Sequence, residues 1–262
     1  MHGIDQPNIW HGNTLTKQEI YGGLFQNAPT QFPYILTNPP FGGKEGKEAQ
    51  TDFSYKTGAT QVLILQHVIT TLENSGECGI VLDEGVLFRT NETAFVQTKR
   101  KLLDDCNLYC IVSLPGGVFT AAGAGVKTNL LFFTKGTRTE KIWYYDLSDV
   151  KVGKKTPLTM ERFDDFFRLL STRADSERSW TVDMIARRAE AKRQADPLRA
   201  QTQKPAGQAA QLRQQIKELK DKKNGNAYAD TLRVAQLETD ARKLEAEARE
   251  LNAKADAIED AV

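Results

Sequence analysis

The stretch FPYILTNPPFGGKEG, from Phe32 to Gly46, changes from an apolar run to a loop rich in glycine and lysine. The apolar run predicts a buried strand. Asn38-Pro39-Pro40-Phe41 follows it directly. Because two adjacent prolines lack backbone N–H donors and fix their own φ angles, the chain must leave the sheet after Thr37 in a stiff, extended turn. The stretch therefore predicts a strand that ends in an amide, a fixed carbonyl and an aromatic ring.

Short apolar runs alternate with helical segments from Ile9 to about Lys135, which is typical of an α/β domain with a largely parallel sheet. The connection between the last two runs is too short for a certain helical crossover, so the last strand can run antiparallel. The predicted strands are Tyr34 to Asn38, Cys78 to Gly85, Leu108 to Pro115 and Asn129 to Gly136.

Two helices are predicted between the first three strands. The first, within TQVLILQHVITTLENSG, has apolar residues at helical spacing and ends in the C-terminal cap Asn74-Ser75-Gly76. The second is opened by Asn91 and turns Phe95, Leu102 and Leu103 inward.

The region after the fourth strand predicts a second piece and a helical tail. Ile142 begins an edge strand, and a helix is expected from about Thr159 to Leu170. Beyond Trp180, Pro197 and Pro205-Ala206-Gly207 are expected to divide the tail into separate helices. The predicted domains are 1–150 (catalytic), 151–180 (connecting) and 181–262 (tail).

The tail carries two heptad series that predict a coiled-coil seam. A shorter apolar stripe precedes the turn KNGNAY, so an antiparallel helical hairpin is expected. Small alanines in the seam would leave an apolar groove, which favours docking on another helix, in the same or another chain, over a solvated helix pair. The stripe is Leu212, Ile216 and Leu219; the heptad series are Val234, Ala241, Ala248 and Ala255, and Leu237, Leu244, Leu251 and Ile258.

Composition limits the class of protein and the partners that can be expected. The 262 residues are 40% hydrophobic with a net charge of +1, so contact with nucleic acid would depend on local patches. No apolar run reaches membrane-spanning length, and MHGIDQPNIW lacks the pattern of a signal peptide, so a cytoplasmic protein is expected. The cysteines form neither an even disulfide set nor a CxxC pair and are expected to be reduced core thiols. They are Cys78, Cys106 and Cys110.

The loop after the first strand has two interpretations. Asn and Pro are ordinary turn residues, so the loop can be a strand ending and nothing more. Alternatively, the Asn38 carboxamide oxygen and the Pro39 carbonyl are two acceptors that suit one exocyclic amino group, and Phe41 offers a ring for stacking. Adenine N6 fits this description, because two accepted hydrogen bonds would stabilise the charge that grows on nitrogen during methylation. Such a base must first be flipped out of the duplex.

Four ordered segments resemble the catalytic domain of the methylation subunits of type I restriction-modification systems. They are MHGIDQPNIWHGNTL, the NPPF loop, LILQHVITTLENSGECGIVLDEGVLF and NLYCIVSLPGGVFTAAGAGVKTNLLFFTKG. The resemblance implies a Rossmann-like domain that uses S-adenosylmethionine to methylate adenine N6 in DNA. It implies a catalytic loop of Asn38, Pro39, Pro40 and Phe41, and places Asn13 beside the adenine ring of the donor. Asp83 departs from the family's usual proline.

The resemblance also implies partners. Sequence recognition would lie in a separate specificity subunit, onto which the tail would dock, and a restriction subunit would join the complex. Lys44 and Lys47 are candidates for DNA phosphate contacts beside the loop. No metal site is expected. Methylation of a protein glutamine amide is the alternative enzyme, although that family usually has Tyr at the position of Phe41.

One element of the family pattern is missing. The glycine-rich donor turn that precedes GNTL in the family has no counterpart here, and AAGAGVKT follows a turn and feeds a strand rather than opening a helix. We therefore expect an N-terminally incomplete domain with an internal start, an exposed strand edge and weak or absent donor binding. A non-catalytic assembly module is the remaining alternative.

Overall fold

The computed structural model describes residues 12–16, 29–119, 125–153, 155–221 and 227–262. The start of the segment MHGIDQPNIWHGNTL and half of AAGAGVKT lie outside these residues. The chain divides into two compact units, one up to Asp183 and one from Met184 onward. The predicted domain boundaries stay predictions, although the segment 151–180 belongs to the first unit.

A six-stranded mixed sheet forms the first unit, with the strand order β1-β2-β4-β3-β5-β6. Strands β1 and β2 are parallel, as are β3 and β5, and β4 runs antiparallel between β2 and β3. The α/β fold with an antiparallel fourth strand is thus confirmed, whereas the expected largely parallel sheet is wrong, because three of the five strand pairs described are antiparallel. The strands are β1 Phe32–Thr37, β2 Leu72–Asp83, β3 Cys106–Ser113, β4 Thr128–Lys135, β5 Lys141–Asp146 and β6 Ser179–Asp183.

The prediction that Ile142 begins an edge strand is wrong. Strand β6 pairs antiparallel with β5, so β5 lies inside the sheet. Trp143 and Tyr145 of β5 are buried against Phe166, with ring centroids 5.7 and 5.4 Å apart. Phe166 belongs to α5 (Asp164–Leu170), which follows the 3-10 helix Met160–Phe163, so the expected helix is present.

Two short and two longer helices connect the first strands: α1 Lys47–Thr51, α2 Thr60–Thr71, α3 Glu84–Phe88 and α4 Thr93–Asp105. The predicted cap Asn74-Ser75-Gly76 is wrong, because α2 ends at Thr71 and Leu72 already pairs with Phe32. Asn91 does not cap α4 either: Glu92 occupies that position without a side-chain bond. Phe95 and Leu102 are buried as predicted, whereas Leu103 is half-buried.

Strand β1 is exposed at the edge of the sheet. Within the described part of the chain it pairs only with β2. Its alternate side chains Phe32, Tyr34 and Leu36 are 37%, 73% and 86% exposed. A strand in parallel pairing is normally covered on both faces, so this apolar surface is unusual. The expected exposed strand edge is present.

The second unit is an antiparallel helical hairpin of α6 (Met184–Asp221) and α7 (Ala227–Asp260). Moving along α6 from Arg199 to Arg213, the ion-pair partner on α7 moves back from Glu259 to Glu245, which fixes the antiparallel direction. The hairpin prediction is confirmed. No described helix is long and apolar enough to cross a membrane.

One expectation about the tail is wrong. Helix α6 continues through Pro197 and Pro205, although each proline removes one backbone donor. The expected docking of the alanine seam on another helix is confirmed within the same chain, because Ala241, Ala248 and Ala255 are buried in the hairpin. Small side chains there allow α6 and α7 to approach closely, and the seam itself is not available to a partner.

Candidate functional site

The NPPF loop begins where β1 ends, at the carboxyl edge of the sheet. Asn38 is exposed, Pro39 is buried and Phe41 is half-buried. The Phe41 ring lies 4.9 Å from the Phe119 ring, centroid to centroid, at 58°. Neither the Asn38 carboxamide nor the Pro39 carbonyl forms a hydrogen bond to any residue that the structure describes. Both predicted acceptors are therefore unbonded among the described residues, on a loop whose aromatic ring contacts Phe119.

Gln61 anchors this loop, and sequence reasoning missed it. Its side chain is only 3% exposed. Its Nε2 donates to the Pro40 carbonyl at 3.2 Å, and its Oε1 accepts from the Asp83 N–H at 3.0 Å. The sequence did contain a signal for this role, because Gln61 lies in a helix of mostly apolar residues. A carboxamide buried there requires hydrogen-bond partners.

The chain after Phe41 is tied to the start of α2. Gly42 and Gly43 have φ angles of +76° and +96°, a region that residues with a Cβ rarely adopt. The Glu45 N–H then donates to the Gly58 carbonyl at 2.9 Å, and the Glu45 carboxylate accepts from Thr60 Oγ1 at 3.0 Å. The loop is thus fixed at both ends.

The structure brings Asn13 to the same loop. Its Nδ2 donates to Glu45 Oε2 at 3.4 Å, and its Oδ1 accepts from the Leu15 N–H at 3.0 Å. Leu15 is buried with Ala49 and Leu63. These contacts connect Asn13 with the candidate site, while its proposed role toward the methyl donor stays a prediction.

A cleft of about 400 Å³ lies beside the loop. Its walls include residues 42–44, residues 57–62 at the start of α2, and Asp83, with further residues from α3 and α4. Asn38 and Phe41 are not among the lining residues. The cleft therefore does not include the candidate base-binding residues and lies beside the two glycines that follow Phe41.

Of the two candidate phosphate contacts, only Lys44 is among the residues that line the cleft. Lys44 also forms a β-bridge with Ala59. Lys47 begins α1 and is exposed. Neither ammonium group has an ion-pair partner within the described part of the chain. Both charges are free to meet an anion.

Other ionisable groups near the sheet have structural roles. The Asp83 carboxylate accepts from the Val86 N–H at 3.1 Å and caps α3. Among the described residues, no group of three or more His, Cys, Asp or Glu could hold a metal ion. The cysteines are buried and unpaired, and burial raises the pKa of each thiol to about 12, so none is a nucleophile near neutral pH.

The described residues do not by themselves fit S-adenosylmethionine. Its carboxylate would require backbone N–H groups at a glycine-rich turn that opens a helix. Gly42 and Gly43 instead lead into the β-bridge at Lys44. The Asn13 carboxamide already bonds Leu15 and Glu45.

Comparison with known proteins identifies the family of this chain. The model of the N-6 DNA Methylase family matches residues 1–202. The methylase subunit of the type I restriction enzyme EcoEI from Escherichia coli is 37% identical over 71% of this chain and 40% of that protein. A chain from a solved type I restriction-modification system has a TM-score of 0.62 and 36% identity, covering 71% of this chain and 40% of that chain.

A modification subunit of a putative type I restriction enzyme from Vibrio vulnificus has a TM-score of 0.54 and 32% identity, covering 59% of this chain and 34% of that one. This chain thus spans 40% or less of the length of each of these relatives. The family match covers most of the chain and includes the NPPF loop. The chain belongs to the N-6 DNA methylase family.

Proposed function

We propose that the chain supplies the target-base part of a DNA adenine-N6 methyltransferase, within the methylation subunit of a type I restriction-modification system. The observation that carries this proposal is the NPPF loop: its Asn38 carboxamide and Pro39 carbonyl have no hydrogen bond to a described residue, and its backbone is anchored through Pro40. Two acceptors on a rigid loop can hold both N–H bonds of an adenine amino group and stabilise its developing positive charge.

Phe41 would stack on the flipped base. Base–aromatic stacking contributes about 1–3 kcal/mol and offsets part of the stacking lost from the duplex. Phe119 holds the ring of Phe41 in place, which reduces the entropy lost when the base binds. Lys44 and Lys47 would bind phosphates of the same strand.

S-adenosylmethionine would supply the methyl group. Because this chain spans 40% or less of the length of the relatives named above and the described residues do not fit the donor, we assign the donor pocket to the part of those relatives that this chain does not match. Calorimetry with S-adenosylmethionine should therefore detect weak or no binding to this chain alone. Tight binding by the chain alone would contradict this assignment.

The partners follow from the same proposal. A specificity subunit would select the DNA sequence and dock on the α6–α7 hairpin, and a restriction subunit would complete the assembly in the cytoplasm. Because the alanine seam is closed, docking would use exposed side chains of the hairpin, which include Ile185 near one end and Leu232 near the other.

The test is methylation by the complete complex, purified through a tag on this chain. Unmethylated genomic DNA and tritium-labelled S-adenosylmethionine are the substrates, and N6-methyladenine is measured. Asn38→Ala and Phe41→Ala should abolish the product, whereas Asn91→Ala, a matched change at an exposed asparagine, should retain it. Full activity in either loop variant would refute the proposal. Label on protein glutamine instead of DNA would favour the alternative enzyme.

A non-catalytic assembly module is the second candidate, because the described residues do not fit the donor. It predicts a complex that forms and selects DNA but yields no N6-methyladenine even with the wild-type chain. Product formation that depends on Asn38 excludes it.

A further inference from the structure

The two prolines of the NPPF loop restrict how the loop can be held. Pro39 and Pro40 have no N–H group, so their backbone can be anchored only through carbonyl oxygens. The Pro40 carbonyl accepts a hydrogen bond from Gln61 Nε2, while the Pro39 carbonyl remains unbonded among the described residues. Among the described residues, Gln61 thus occupies the Pro40 carbonyl and leaves the Pro39 carbonyl for a substrate.

The other end of the Gln61 side chain is fixed to the neighbouring strand. Its Oε1 accepts from the N–H of Asp83, the last residue of β2. Strands β1 and β2 pair in parallel as far as Thr37 and Ile80, where the prolines stop the ladder. The carboxamide of Gln61 therefore continues the connection between the two chains past the point where backbone pairing ends.

Burial protects the two hydrogen bonds of the Gln61 side chain from competition with water. Gln61 is 3% exposed, so water does not readily replace either partner. Its backbone lies in the first turn of α2, which also holds the later part of the loop through Thr60 and Glu45. One helical turn thereby fixes both sides of the loop.

We propose that Gln61 is a positioning residue of the catalytic loop, which orients the Pro39 carbonyl and the Asn38 carboxamide by holding the Pro40 carbonyl. This inference rests on the proposed function. A displacement of about 1 Å at reacting groups can lower a rate about 100-fold. Loss of the Gln61 bond should therefore lower kcat more than it changes the KM for DNA.

The chain contains a matched control on the same helix. Gln66 is also 3% exposed and also uses both ends of its carboxamide. Its Oε1 accepts from the Tyr55 N–H at 3.1 Å, and its Nε2 donates to the Tyr55 carbonyl at 2.9 Å. Gln66→Leu removes an equivalent buried pair of bonds without contact to the NPPF loop.

The experiment compares Gln61→Leu, Gln61→Glu and Gln66→Leu. Gln61→Glu keeps an acceptor for Asp83 but loses the donor to Pro40, so it should act like Gln61→Leu if the Pro40 bond is the important one. In the complete complex, both Gln61 variants should lower kcat about 100-fold with an unchanged KM for DNA. Gln66→Leu should retain the wild-type kcat.

A second measurement does not require methylation. Hydrogen exchange at the Glu45 amide, which donates to the Gly58 carbonyl at the end of the loop, should accelerate in both Gln61 variants of the chain alone and stay at the wild-type rate in Gln66→Leu. Unchanged exchange in Gln61→Leu, or an equal loss of kcat in Gln66→Leu, would overturn the inference. Activity retained in Asn38→Ala would instead refute the proposed function, and the exchange rates would still decide whether Gln61 holds the loop.

Discussion

Substitution of the two glycines after Phe41 should have unequal effects on stability. Gly42 and Gly43 both have positive φ angles, but an added Cβ would meet nothing within 4 Å at Gly42. At Gly43 it would lie 2.9 Å from Thr60 Oγ1. That oxygen cannot move freely, because threonine is stiff at χ1 and its hydroxyl donates to Glu45.

The expected magnitudes follow from these contacts. Left-handed backbone costs an alanine roughly 1–2 kcal/mol, and reduced freedom of the unfolded chain offsets about 0.4–1 kcal/mol of it. Gly42→Ala should therefore lower the free energy of unfolding by about 1 kcal/mol. Gly43→Ala should cost about 1 kcal/mol more, because it also displaces the Thr60 hydroxyl from Glu45.

Urea unfolding followed by tryptophan fluorescence measures this difference, since all three tryptophans precede Met184. With a slope of about 2 kcal/mol per molar urea, the two midpoints should differ by about 0.5 M. In a Thr60→Ala background the clash is absent and the two substitutions should become equivalent. Equal midpoints in the wild-type background, or a difference that persists without the Thr60 hydroxyl, would refute the reasoning.

Three further predictions concern thiols, a helix cap and acid. The buried cysteines, whose pKa values are raised to about 12, should react with N-ethylmaleimide only as the protein unfolds; rapid alkylation of folded protein would contradict their burial. Asp83→Ala should cost about 1 kcal/mol in urea unfolding because the Val86 N–H loses its cap, whereas Asp83→Asn should cost much less. The hydrogen bond from Arg213 lowers the pKa of Glu245 in the folded hairpin. The ionised Glu245 therefore stabilises the fold fully above the pKa that it has in the unfolded chain, and this stabilisation is lost as the pH falls through its lower folded pKa. Helix content of the hairpin by circular dichroism should therefore fall on acidification, and Arg213→Ala should reduce that dependence.

The sequence predicts much of the sheet because its strands are short apolar runs. β1, β3 and β4 lie close to their predicted positions. β6 was not predicted, since Ser179–Asp183 is short and only its pairing with β5 makes it a strand. The boundary between α2 and β2 was misplaced because Asn74-Ser75-Gly76 has the composition of a cap. In the fold, Ser75 adopts a positive φ inside β2, after Leu72 has begun to pair.

Tertiary packing explains the remaining differences. A proline inside a helix costs about 3 kcal/mol, which predicts a break at Pro197 and at Pro205. Burial of the α6 face that includes Ala195, Ala209 and Ile216 compensates for this cost, and no local pattern reports it. The NPPF motif was visible in the sequence, but its anchor Gln61 lies 21 residues away from the carbonyl it binds.

The exposed face of β1 has a practical consequence for work with this chain. Tyr34 and Leu36 present an apolar strip on a strand with an open edge in the described fold. Such strips promote edge-to-edge pairing between molecules, so overexpression of the chain alone should favour inclusion bodies. Charged residues at these two exposed positions would act as gatekeepers and improve recovery, with little effect on the core.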